Sequence, residues 1–111
     1  MLGLGAEIEG DQYAEAEVAF FDAIVTGVIA RYEEIDDLLA VRLAEGWKLE
    51  RLDRTMLQIL RAGAWELIAR PDVPTGTAIS EYVDVAHAFF EAREAKFVNG
   101  VLDAVAKDVR G

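Results

Sequence analysis

The apolar residues of this chain return every three or four positions, and that rhythm excludes most folds at once. Met56, Ile59, Leu60, Gly63, Ala64 and Leu67 fall on one side of a helix, and so do Val98, Val101, Leu102, Val105 and Val109. No stretch alternates apolar and polar residues for more than a few positions, and neither an internal repeat nor a low-complexity tract is present. The chain is therefore predicted to be all-α, a bundle of about five helices with short connections.

The first helix is expected from about Gln12 to Arg31, burying Val18, Phe21, Val25 and Val28, with Phe20 and Ile24 widening the stripe. Gly27 inside it costs about 1 kcal/mol against alanine, so it should mark a close helix contact. The stripe is wider than one neighbour needs, which points to a packing partner that the other helices do not supply. A second helix, Glu33 to Ala44, turns Ile35, Leu38, Leu39 and Leu43 inward and ends at Gly46 as a C-cap. The third runs from Leu49 to Ala69, with Leu52 leading its buried face. "RPDVPTG" (70–76) stops it, because Pro71 and Pro74 cannot continue a helix. Thr75 or Thr77 then caps a fourth, which buries Ile79, Tyr82 or Val83, Ala86, and Phe89 or Phe90. The fifth begins near Arg93.

With 53% hydrophobic residues the chain has the material for a core. No run approaches the length of a membrane span, and "MLGLGAEIEG" lacks the basic start of a secretory signal, so no membrane role is expected. Cysteine is absent, which removes disulfides and thiolate metal sites and fits a reducing cytoplasm. The net charge of −10 argues against general nucleic-acid binding, since phosphate contacts need Lys and Arg. The charge is uneven, however: residues 1–50 hold 12 acids and 3 bases, residues 51–111 hold 9 acids and 8 bases. An anionic ligand should meet the second half. The first half is a solvated acidic surface or a dock for a basic partner.

Catalytic motifs are missing. The only histidine, His87, follows Asp84 by three positions, a pair common on any exposed helix, and reads as a surface residue. There is no nucleophile elbow, phosphate loop or metal-ligand spacing, and Asp36 and Asp37 leave a helix in different directions. The chain is not expected to be an enzyme or to need a cofactor or metal. Two other groupings matter more. Arg51, Arg54, Gln58 and Arg61 form a polar stripe opposite the buried face of the third helix, either a phosphate or carboxylate grip or a plain solvent face paired with Asp53. "KFVNGVLDAV" (96–105) places Asn-Gly, the strongest turn dipeptide, inside a helical pattern. Lys96 beside Phe97 can hold a phosphate and stack a base, Asn99 can bond a base edge, and Gly100 admits a close backbone. The opposing reading has Phe97 in the core, but a core Asn99 would need partners for its amide.

The phrases "ILRAGAWEL" (59–67), "DVPTGTAISEYVDVAHAF" (72–89) and "KFVNGVLDAV" (96–105), in that order, resemble the NusB family of transcription antitermination factors over about residues 12–108. The resemblance implies two helical subdomains, here a frayed start (1–11), a partial N-terminal subdomain (12–46) and a C-terminal subdomain (47–111). It implies binding of boxA RNA together with a small-subunit ribosomal protein acting as NusE, with other Nus factors and RNA polymerase engaged indirectly, in the cytoplasm. Lys96, Phe97, Asn99 and Gly100 fall at the family's RNA-facing helix start; Arg61 and Glu66 fall at motif positions of the long helix, and Arg54 and Gln58 join them as further RNA or partner contacts. The family's Arg-rich first helix has no counterpart here, so the likeness starts part-way into the N-terminal subdomain, and the family's lysine in "ELAK" is His87. The alternative is a protein-only helical module that dimerises or captures a partner through the first helix. A regulatory domain of an RsmB-like methyltransferase is a third, unsupported by the terminal "LDAVAKDVRG".

Overall fold

The structure is a computed structural model and describes residues 18–43 and 48–111. Among these residues there are five α-helices and no strand. α1 covers 18–30, α2 Tyr32–Arg42, α3 Arg54–Ala69, α4 Thr75–Phe89 and α5 Ala92–Arg110, and a 3-10 turn, Leu49–Arg51, precedes α3. The expected Gly46 cap and the first turns of the first helix lie outside the described residues.

α3, α4 and α5 pack on one another, and α2 closes over α3 and α5. The reason is visible in the inward stripes. Leu60, Ala64 and Leu67 of α3 meet Ala78, Ile79 and Tyr82 of α4 and Val98, Leu102 and Val105 of α5, while Ile35 and Leu39 complete the core from α2. Gly63 lets α5 come close, since a Cβ there would stand 2.7 Å from a methyl of Leu102. Leu38 and Leu43, expected inward, are only half-buried.

The third helix is shorter at its start than its apolar pattern suggests. Asp53 caps it, its Oδ1 accepting from the backbone N–H of Thr55 at 2.8 Å and of Met56 at 3.2 Å. A carboxylate that satisfies two free N–H groups fixes the first turn at Arg54, and leaves Leu49–Arg51 as a separate turn with Leu52 half-buried. α4 departs from expectation too: no threonine caps it, and Pro74 occupies the N-cap without a side-chain bond. Thr75 instead meets Arg110, whose Nη1 lies 3.0 Å from its Oγ1. The same guanidinium donates to the carbonyls of Leu67 (3.0 Å), Arg70 (2.7 Å) and Val73 (2.6 Å). One cation at the end of α5 thus closes the C-terminus of α3 and the proline-containing loop after it.

α1 and α2 are almost one helix. The chain kinks at Arg31, whose N–H still bonds the carbonyls of Gly27 and Val28. α1 rests on the core through Ile24 and Val28, and Gly27 lies so close to Trp65 that any Cβ would run into the indole. The side expected to be buried is not: Val18 is 58% exposed, Phe21 64% and Val25 40%. Nothing in the described bundle lies over that side, so the pattern of the sequence finds no neighbour to satisfy it.

Candidate nucleic-acid interface

α5 begins at Ala92 and points Ala95, Val98, Val101 and Leu102 into the core. The helical period then forces the positions between them outward. Lys96, Asn99 and Gly100 are exposed, and Phe97 as a residue is 36% exposed, so neither Phe97 nor Asn99 is sealed in the interior. Nothing lies within 4 Å of where a Gly100 Cβ would be. No neighbour within the fold requires the missing side chain.

Sequence reasoning missed one further member of this surface. Arg93 sits three residues before Lys96 and four before Phe97, which puts all three on one helix face; its side chain is 92% exposed, with one nitrogen 3.6 Å from Glu94. Of the expected pair Phe89 or Phe90, Phe89, the last residue of α4, is 65% exposed. Phe90 is the one that packs inward, because the chain turns extended there and drops it against the core. The i, i+4 spacing of Arg93 and Phe97 was legible; the outward turn of Phe89 depends on where α4 stops and was not. The first turns of α5 therefore carry one ring, two cations, an amide and an open glycine, tempered by Glu91 and Glu94.

The candidates on α3 separate. Arg54 and Gln58 are exposed. Arg61 is held by Asp36 of α2 through two bonds of 2.8 Å and lies over the Tyr32 ring at 4.9 Å, so the fold uses its charge. Glu66 is 2% exposed, and its Oε2 has no hydrogen-bond partner. Burial pushes its carboxyl pKa up, and nearby Glu81 adds to this, against a smaller pull from Arg70 and Arg110. Burial also raises the Tyr82 phenol, with the Glu66 and Glu81 charges behind it. These four residues do not form one surface. Among the described residues, no group of three or more His, Asp or Glu is placed to hold a metal ion.

At the start of α5 the bundle turns Lys96, Phe97, Asn99 and Gly100 outward, with the Arg93 guanidinium on the same helix face. Its fold has close counterparts. The chain belongs to the NusB family, whose defining pattern matches residues 4–107. It is 76% identical over 107 residues to the transcription antitermination protein NusB of Novosphingobium aromaticivorans, covering 96% of this chain and 72% of that protein. The NusB of Sphingopyxis alaskensis is 64% identical over the same coverage. The solved structure of T. maritima NusB superposes with a TM-score of 0.72 at 34% identity, over 77% of this chain and 59% of that one. The chain thus spans about three fifths of that solved structure and under three quarters of those two relatives.

Proposed function

We propose that the chain acts in transcription antitermination, binding boxA-type single-stranded RNA at the start of α5 in concert with a small-subunit ribosomal protein of the NusE kind. Family membership and the names of its relatives support the process. The observation that carries the RNA reading is the open face of α5, where Gly100 has free space beside exposed Lys96, Phe97 and Asn99. A base can stack on the ring while the amine takes its phosphate, a sugar-phosphate chain can lie against the glycine, and the Asn99 amide, two positions from the ring and so on another side of the helix, can read a neighbouring nucleotide. Arg93 adds a second cation to the same face. Basic surface on a ribosomal protein finds its complement in the acidic α2, where Glu33, Glu34 and Asp37 are exposed. The chemistry asks for no covalent step. The reading places the chain with nascent RNA in the cytoplasm.

The test is a gel-shift titration of a boxA oligonucleotide with and without NusE, for the wild-type chain and a Lys96→Ala, Phe97→Ala double variant. Loss of a stacked base and a phosphate contact should weaken binding at least tenfold, on the order of 1–3 kcal/mol for the ring alone. Unchanged affinity in a folded double variant would remove the RNA-binding reading.

A further inference from the structure

The positive charges of this chain divide by place. All eleven lysines and arginines lie in the described residues. Six are occupied within the fold. Arg42 holds Asp108, Arg61 holds Asp36, Lys107 meets Asp103 at 3.5 Å and Arg31 meets Glu34 at 4.0 Å. Arg110 closes the carbonyls at the end of α3, and Arg70 lies over the rings of Phe20 and Trp65. The other five, Lys48, Arg51, Arg54, Arg93 and Lys96, are exposed. Of these only Arg93 is in an ion pair among the described residues, with Glu94 at 3.6 Å.

The fold brings these five to one end. Short connections make α3, α4 and α5 run up, down and up, so α3 and α5 are parallel. Arg110 reaches the carbonyl of Arg70, 40 positions earlier, and Leu102 lies against Gly63 at a similar offset. Carried back to the helix starts, that register sets Arg54 level with Arg93. The two starts also share a side. Arg54 is two turns before Arg61, on the side of α3 where Arg61 meets Asp36 of α2. Phe97 is three turns before Asp108, on the side of α5 where Asp108 meets Arg42 of α2. α2 therefore crosses this side nearer the far ends of α3 and α5, and leaves both starts open to solvent. Asp53 stands between Arg51 and Arg54, but its Oδ1 is turned to the N–H groups of Thr55 and Met56.

We propose that the RNA strand held at the start of α5 continues across this end of the bundle onto the start of α3, where Arg54 and then Arg51 take its next phosphates. The proposal rests on the RNA reading given above and extends its footprint. Packed helices lie about 8–10 Å apart, so a strand stacked on Phe97 reaches Arg54 within a few nucleotides. Arginine suits the task, since its guanidinium keeps its charge and offers several donors to phosphate oxygens.

The experiment is fluorescence anisotropy of the 111-residue chain with labelled boxA oligonucleotides of about 5 and about 12 nucleotides over a range of salt. The shorter strand should show a log–log salt slope of about −1.4 and the longer one about −2.8, as two more phosphates are neutralised. A double variant, Arg51→Gln with Arg54→Gln, should return the longer strand to a slope of about −1.4 and weaken it about tenfold at low salt, without changing the shorter one. Lys107→Gln, at the far end of α5, removes a charge and should leave the slope of the longer strand as it is. Both arginines are exposed, and circular dichroism will verify that the double variant keeps the fold. Equal slopes for the two lengths, or a slope for the longer strand that survives loss of both arginines, overturns the proposal and leaves the α5 site standing. Binding of neither length removes the RNA reading and this proposal with it. Tighter binding of a Glu/Asp peptide than of the longer strand, lost in the double variant, would assign the arginines to an acidic protein and also overturn the proposal.

Discussion

At the level of single residues, Asn99-Gly100 and Glu66 are the positions where the sequence departs from what stability alone would choose. Gly100 lies in mid-helix with open space at its Cβ, so Gly100→Ala should raise the unfolding free energy by about 0.5–1 kcal/mol, read from urea melts. The same change should weaken RNA binding, because the methyl stands where the ligand backbone is proposed to lie. Greater stability with undiminished RNA affinity would leave the glycine without a function. Glu66 contributes a pH dependence. Its folded pKa is raised, so between the ordinary carboxylate range and that raised value the folded state holds more proton than the unfolded one. The stability this provides is complete below that range and fades as pH rises through it. Glu66→Gln should therefore flatten the slope of stability against pH in that interval and stabilise the chain at neutral pH by on the order of 1 kcal/mol. A slope that persists in the variant would place the titration elsewhere.

Elements were legible where a stripe had a neighbour to meet. The faces of α3 and α5 could be written from spacing alone, since Met56 to Leu67 and Val98 to Val105 are buried as a 3.6-residue period requires. The ends were harder, because they depend on single polar atoms rather than on a repeating pattern. Asp53 starts α3 with one carboxylate oxygen, yet the sequence offered it equally as a salt-bridge partner for neighbouring arginines. Arg110 lies about 40 positions from the carbonyls it closes, a relation no local rule contains. Replacing it with methionine keeps much of the aliphatic stem and removes four hydrogen bonds to one cation. Arg110→Met should cost about 2–3 kcal/mol in chemical unfolding and speed amide hydrogen exchange at the end of α3. Loss below about 0.5 kcal/mol would mean the loop is held by its own packing.

For the molecule as a whole, charge governs how a polyanion can be bound. The cluster at the start of α5 offers Arg93 and Lys96 and little more, within a chain of net charge −10. If two phosphates are neutralised, the logarithm of the RNA binding constant should fall against the logarithm of salt with a slope of about −1.4. A slope several times steeper would require a cationic surface that lies outside this cluster. The outward side of α1 follows the same logic. Its excess of apolar residues was readable from the sequence, but the identity of a partner for it was not, since an apolar stripe records that a neighbour is needed and not which one.

The seat of Gly27 against Trp65 has a practical sequel. The indole is 8% exposed and has the Arg70 guanidinium over its ring at 5.7 Å, so it lies under α1 like a lamp beneath a shutter. Only one other tryptophan, Trp47, shares the chain. With Trp47→Phe in place, the colour of the remaining ultraviolet emission becomes a direct gauge of α1: blue while the helix is shut on the ring, redder once water reaches it.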